Sequence, residues 1–167
     1  MQTVFSKTKV KTWIKKAHKH HSFSYGHGYV TDGHVLLVDE SHMHPTILEV
    51  YGTLNPECRY PAETLQKMMD LPKEHVEAID SQLEYVPDSK TRLRIFYDPK
   101  TGKELTIDGN YFDLLDNPKV HKFYTNDSMD RLWITYGDDV VGLIAPVRLQ
   151  DKLSHVEFKV EEEAEQV

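Results

Sequence analysis

Apolar and polar residues alternate with a period of two in several segments of the chain, which is the pattern of half-buried β-strands. The clearest case covers residues 131–149, in which Gly137–Asp139 supplies turn residues and Val140–Ala145 is a nearly continuous apolar run. The alternating apolar positions before the turn are Leu132, Ile134 and Tyr136. This pattern predicts a β-hairpin that ends at Pro146, because proline has no N–H group to donate to a strand ladder.

Two further hairpins are predicted upstream. Residues 22–41 contain two strand-like segments on either side of a turn at 31–33, and residues 91–108 show the same arrangement. Gly26 and Gly28 lie inside the first of these segments. Because glycine weakens a strand, the two glycines predict a bulge or a close approach of another backbone.

A helical period predicts a helix over residues 7–19, with Ser6 as its N-terminal cap. Its apolar stripe consists of Val10, Trp13, Ile14 and Ala17. A shorter helix is predicted over about 110–116, followed by a strand at 120–125. Residues 150–167 are expected to add one more strand and an acidic tail.

The sequence of residues 42–88 fits more than one arrangement of helices and strands. Pro45 can begin a short helix that ends at Gly52, although the same residues also fit a strand. Pro61 begins a firmer helix, since proline is favoured in a first turn. Pro72 begins a further predicted helix, in which apolar residues keep helical spacing at Val76, Ile79, Leu83 and Val86.

The composition is that of one globular domain, with 167 residues and 28% charged side chains. No apolar run approaches the length of a membrane span, and the first residues contain no apolar core of a secretion signal. Cys58 is the single cysteine, which excludes an internal disulfide. We therefore expect a cytoplasmic protein.

The net charge of −7 conceals a strong asymmetry. The first 20 residues contain six lysines and no acid, so the remainder carries a balance of −13. Five of these lysines fall opposite the apolar stripe of the predicted helix: Lys9, Lys11, Lys15, Lys16 and Lys19. Such a face is either a solvated helix surface or a site for an anion, and DNA phosphates are one such anion.

Three segments resemble the bacterial DNA sliding clamp, the beta subunit of the replicative polymerase. The segments GDDVVGLIAPVRL at 137–149 and IDGNYFDLL at 107–115 resemble parts of a clamp domain, and the first 41 residues resemble it more loosely. The resemblance implies an α+β fold, a single DNA-clamp-like domain over residues 1–149. It would have an antiparallel sheet, helices packed on one face and a helical insertion at about 42–88. Alternatively, residues 59–62 would match the second helix of a clamp domain, which would change the topology.

The resemblance also implies partners. Clamp helices carry basic residues toward DNA, which would assign sequence-independent DNA contact to the five lysines. The clamp strand with the Pro-x-Arg signature lines a pocket for peptides of polymerases and other proteins. That role would fall to Ala145, Pro146, Val147 and Arg148. A single clamp domain must form a homo-oligomer to encircle DNA, and a phage or mobile element is a plausible source.

Three functions follow from these observations. The first is a non-enzymatic, clamp-like DNA-binding or replication-accessory protein. The second is a protein-interaction module that binds a partner peptide near the Pro-x-Arg strand. The third is a small metallohydrolase, because seven histidines lie within 27 residues, from His18 to His44. However, the chain contains no recognisable catalytic or zinc-binding motif, so we expect no catalytic residues, metal or cofactor.

Overall fold

The segments with a period of two form one antiparallel sheet in the computed structural model, which describes residues 3–148 and 154–155. Among these residues, nine strands join the sheet: β1 Ser24–Gly26, β2 Tyr29–Thr31, β3 Val35–Val38, β4 Val76–Asp88, β5 Thr91–Tyr97, β6 Glu104–Asp108, β7 Lys122–Thr125, β8 Leu132–Tyr136 and β9 Asp139–Ile144. Their order across the sheet is β1-β2-β3-β9-β8-β7-β4-β5-β6. The protein is therefore α+β, with a large antiparallel sheet and few helices.

The six adjacent strands that begin at the β1 edge of the sheet repeat one arrangement twice. Helix α1, Lys7–Lys19, precedes the meander β1-β2-β3, and helix α4, Gly109–Phe112, precedes the meander β7-β8-β9. The third strands of the two meanders pair with each other, with Leu36 opposite Leu143. Outward from the β3–β9 pair, each half therefore has the third, second and first strand of its meander in the same order. The sequence shows no internal repeat, so this relationship between the two halves appears only in the topology.

Helices cover both faces of the sheet. The larger core lies on the face of α1, α4 and a third helix, α2, His44–Tyr51. A smaller core lies on the opposite face, where helix α3, Ala62–Met69, packs its buried leucine and methionines. The indole N–H of Trp133 donates a 2.9 Å hydrogen bond to the carbonyl of Met68 there. The expectation that helices pack on one face is therefore wrong, because the central strands are apolar on both sides.

For the segment 42–88, the structure decides one open alternative, confirms one predicted helix and contradicts another. Helix α2 ends at Gly52 with φ of 73°, which decides between the helix and the strand that Pro45 allowed. Helix α3 follows Pro61 as predicted. The helix expected from Pro72 is wrong, since residues 76–88 form strand β4, which pairs with both β7 and β5.

The apolar spacing that suggested this helix does not mark a buried face, because Leu83 and Val86 are 62% and 57% exposed. The register of β4 against β5 shifts between Asp80 and Leu83, and Gln82 has a φ of +63°. Ser81 and Gln82 are therefore extra residues on β4, opposite the adjacent residues Phe96 and Ile95 of β5, as in a bulge. The expected helical insertion is thus two helices followed by a strand of the main sheet.

The hairpin predicted over residues 22–41 contains three strands. A tight turn at His27–Gly28, with φ values of 56° and 85°, separates β1 from β2. Gly26 shows the close approach that the glycines predicted, because a Cβ atom built there would lie 2.6 Å from the Cβ of Cys58. The hairpins β5–β6 and β8–β9 match their predicted segments.

The apolar faces of the periodic segments predict seven largely buried residues, and six of them are buried. Ile14, Leu36, Leu132, Ile134, Leu143 and Ile144 are each at most 1% exposed. Trp13 is only half-buried, because it lies where α1 borders an open cleft. Within the part of the chain that is described, none of the helices is both long and apolar enough to span a bilayer.

The chain beyond β9 forms a short pair of strands. Val147–Arg148, β10, pairs with Ser154–His155, β11. The predicted strand at 155–160 begins within this pair, but its later residues and the acidic tail lie outside the described residues.

Candidate nucleic-acid interface

Helix α1 forms as its sequence predicts. The Ser6 hydroxyl accepts a 3.3 Å hydrogen bond from the Lys9 amide at the N-terminus, and the side of Val10, Ile14 and Ala17 is buried in the core. The five lysines predicted to face away from this core are all exposed: Lys9, Lys11, Lys15, Lys16 and Lys19. The helix contains no acidic residue, so its solvent side is uniformly basic.

Lys15 has an acidic neighbour on this surface. Its ammonium lies 3.3 Å from the carboxylate of Glu49 on α2, and both side chains are well exposed. Exposed ion pairs contribute at most about 1 kcal/mol. Lys15 can therefore exchange Glu49 for another anion at little cost.

A cleft of about 480 Å³ separates α1 from α4. Lys9, Thr12 and Lys16 line it from α1, and Asn110 and Tyr111 line it from α4. The half-buried indole of Trp13 also borders the cleft. Cationic, aromatic and amide groups thus surround one concave surface.

Asp32 fastens the two helices together beneath this cleft. Its Oδ2 atom accepts a 2.9 Å hydrogen bond from the indole Nε1 of Trp13 and a 2.8 Å bond from the hydroxyl of Tyr111. Its Oδ1 atom accepts bonds of 2.9 and 3.0 Å from the amides of His34 and Val35. Four donors thus satisfy a carboxylate that is 9% exposed.

The hydroxyl of Tyr111 acts as a hydrogen-bond donor to Asp32. Burial raises the pKa of the Tyr111 phenol well above its usual range, and the charge of Asp32 and the hydrogen bond to it act in the same direction. The phenol stays protonated near neutral pH. Asp32 and Tyr111 are therefore a structural pair that positions α1 and α4.

Asp113, on the far side of the cleft, has its charge compensated. Its carboxylate lies 2.8 Å from the guanidinium of Arg92, which also contacts Glu84 at 2.9 Å. These hydrogen bonds raise the pKa of Arg92, and the bond from Arg92 lowers the pKa of Glu84. The ion pair ties the end of α4 to β5 and reduces the repulsion that Asp113 would exert on an anion.

The residues predicted to bind a peptide occupy a different environment. Ala145, Pro146 and Val147 are buried, and the Ala145 amide donates a 2.8 Å bond to the carbonyl of His34. Arg148 belongs to β10 through its backbone pairing with Ser154. The three buried side chains do not form an exposed pocket, because the fold itself covers them.

The histidines that lie close together in the sequence contact different residues in the fold. His42 lies 2.9 Å from Glu40 and His44 lies 3.1 Å from Asp39, whereas the His18 ring packs edge-on against Tyr51. Among residues 3–148 and 154–155, no three His, Cys, Asp or Glu side chains converge as metal ligands would.

The structure adds three residues that pattern analysis did not assign to a site. From the sequence alone, Asp32 was assigned to a turn, Trp13 to the core and Tyr111 to a short helix, and none of them to a binding site. A partial signal existed, because Trp13 follows Lys9 by four residues and precedes Lys16 by three, which places it at the edge of the apolar stripe nearest to these two lysines. Nothing in the sequence linked Tyr111 to Asp32 or to this surface.

Comparisons of the chain with protein-family models, with curated proteins and with solved structures find no match.

Proposed function

We propose that this chain is a nucleic-acid-binding protein whose helix α1 contacts the phosphate backbone independently of sequence. The observation that carries the proposal is the exposure of all five predicted lysines on one 13-residue helix that lacks acids. Such a helix is about 20 Å long, and one strand of B-DNA carries about six phosphates over that distance. Several lysines can therefore contact phosphates at the same time.

We further propose that the domain is clamp-like and serves DNA replication as an accessory protein. Two observations support this reading: a helix and a three-stranded meander occur twice, and α1 and α4 lie on the same face of the sheet. The resemblance of residues 107–115 and 137–149 to clamp segments agrees with it. A clamp-like ring requires several copies, and the described sheet ends at β1 and β6, which are candidate edges for joining them.

The lysine contacts are tested by fluorescence anisotropy with a labelled DNA duplex. With three to five phosphate contacts, log K should fall against log[salt] with a slope of roughly −3 to −4.5. Replacing Lys11, Lys16 and Lys19 with Glu should abolish binding at low salt without unfolding the exposed helix surface. Lys15 is left in place, because its replacement would put a carboxylate beside Glu49.

A matched variant controls for overall charge. Lys90, Lys100 and Lys103 are exposed lysines outside α1, and their replacement with Glu changes the net charge by the same amount. This control should retain most of the binding. Equal losses in the two triple variants would show that α1 is not the contact surface.

The formation of a homo-oligomer is tested separately, by sedimentation. Sedimentation velocity at tens of micromolar should show a species larger than the 19.4 kDa chain. If only the 19.4 kDa species sediments, the ring is excluded, and DNA contact by a single domain remains to be judged by the titration.

A further inference from the structure

The cleft between α1 and α4 has the dimensions and lining of a small-ligand site. Its volume of about 480 Å³ lies in the range of pockets that hold small organic ligands. The lining combines an aromatic ring, two ammonium groups, three carboxylates and polar side chains that both donate and accept hydrogen bonds. Each of these carboxylates, on Asp32, Asp108 and Asp113, already accepts a hydrogen bond from within the protein. A nucleotide offers a matching set of groups: a flat base, a negatively charged phosphate and polar base edges.

Trp13 is held rigidly at this cleft. Its Nε1 donates to Asp32, and its ring packs edge-to-face against Phe23 with centroids 5.7 Å apart. These two contacts fix the indole on the border of the cleft before any ligand arrives. A fixed aromatic surface loses little conformational entropy when a base stacks on it, and such stacking is a common basis of single-strand binding.

Two lysines flank Trp13 along the helix. Lys9 and Lys16 are seven residues apart, so they lie on one side of α1 and about 10.5 Å apart along its axis. Both line the cleft, whereas Lys11, Lys15 and Lys19 do not. This spacing allows the phosphates on either side of one nucleotide to meet an ammonium group while its base enters the cleft.

The opposite wall offers hydrogen-bonding groups to the edge of a base. Asn110 is exposed there and its side-chain amide has both a donor and an acceptor. In a duplex the bases are stacked and paired inside the helix, and an aromatic ring reaches them only after they are splayed out. The cleft is therefore suited to a single strand, while the outer lysines of α1 are suited to any phosphate backbone.

We infer that the cleft binds one unstacked nucleotide of a single-stranded nucleic acid, with its base against Trp13 and its flanking phosphates at Lys9 and Lys16. The inference rests on the proposed function, because it specifies which form of nucleic acid α1 engages and where. It assigns the recognition of single strands to the cleft between α1 and α4. It assigns the attraction of any phosphate backbone to the lysines along the whole of α1.

Tryptophan fluorescence tests the stacking contact in the full-length chain, with an eight-residue oligothymidylate as the probe. The protein has two tryptophans, and Trp133 is 3% exposed on the opposite face of the sheet, so it serves as a silent reference. Stacking should quench Trp13, and the quenching should vanish in Trp13→Phe. An oligouridylate that quenches equally would extend the site to RNA and would support the same contact.

Two lysine variants separate the cleft from general charge. Lys16→Ala and Lys19→Ala remove the same charge from exposed positions of α1, but only Lys16 lines the cleft. For the oligothymidylate, Lys16→Ala should weaken binding about tenfold more than Lys19→Ala and should reduce the salt slope by about 0.7. For a duplex, the two variants should weaken binding equally.

The outcomes distinguish this inference from the proposed backbone contact. Quenching by single strands without any duplex binding would support the cleft and remove the sequence-independent duplex function of α1. Duplex binding with unquenched Trp13, and equal effects of Lys16→Ala and Lys19→Ala on single strands, would overturn the cleft and leave the proposed function in place.

Discussion

The hydroxyl of Tyr111 donates a 2.8 Å hydrogen bond to the carboxylate of Asp32, although 79 residues separate them in the chain. Asp32 lies in the turn between β2 and β3, in the first half of the sheet, and Tyr111 lies on α4, in the second half. Trp13 of α1 donates to the same carboxylate oxygen. One carboxylate therefore links the two helices that border the cleft.

Replacing Asp32 with Asn should destabilise the protein by about 1.5–3 kcal/mol, the scale of hydrogen bonds to charged groups. If the new amide takes the place of Oδ2, it presents N–H groups to the indole and phenol donors, which then lack an acceptor. Urea denaturation measures the loss. Tyr111→Phe removes one donor and leaves Asp32 with three, so it should cost less; an Asn variant as stable as this control would refute the role of Asp32.

Replacing Gly26 with Ala should destabilise the protein by about 1–3 kcal/mol, the range for overpacking. The added methyl would lie 2.6 Å from the Cβ and 2.8 Å from the sulfur of Cys58, so the backbone must shift. The double variant with Cys58→Gly removes both of those atoms. In a double-mutant cycle, Gly26→Ala should therefore cost clearly less in the Cys58→Gly background; an unchanged cost would show that another contact is responsible.

Replacing Ile144 with Ala should cost about 2–5 kcal/mol, because Ile144 is fully buried and pairs with both Val35 and Leu132. Leu54→Ala is the matched control, since that leucine is 41% exposed and should change stability by less than about 0.5 kcal/mol. The denaturant midpoint at constant m-value gives both numbers. A loss well under 1 kcal/mol for Ile144 would place β9 at the periphery of the core.

His121 should make the protein less stable in mild acid. Its Nδ1 lies 3.0 Å from the carbonyl of Thr135, and its buried Nε2 has no hydrogen-bond partner among the described residues. Burial lowers the pKa of the imidazole below its usual 6.5, an effect that the bond to Thr135 partly opposes. The unfolded chain then takes up the proton at a higher pH than the folded chain does.

Stability should consequently fall as the pH drops below about 6.5, by up to about 1.4 kcal/mol per pH unit from this group. His121→Asn keeps an N–H donor near the Thr135 carbonyl but does not titrate. Urea unfolding between pH 7.5 and 5 should give a shallower pH dependence for the variant, because the other histidines contribute equally to both proteins. Parallel curves would show that His121 does not titrate differently in the folded state.

Much of the local structure follows from the sequence alone. The periodic segments predicted α1, both of the later hairpins and nearly all of the central core, because period and burial are directly coupled in helices and strands. The basic surface of α1 followed in the same way, since lysines opposite an apolar stripe must face solvent. Pro61 located helix α3, whereas the sequence left the segment of α2 open between a helix and a strand.

Only the tertiary structure decided how these elements combine. Residues 76–88 form strand β4 despite their helix-like spacing, the placement of α3 puts helices on both faces, and Ala145, Pro146 and Val147 are buried. The pairing of β3 with β9 and the bond between Tyr111 and Asp32 join residues far apart in the chain. Such contacts depend on which strands become neighbours in the sheet, and residue periodicity carries no information about that choice.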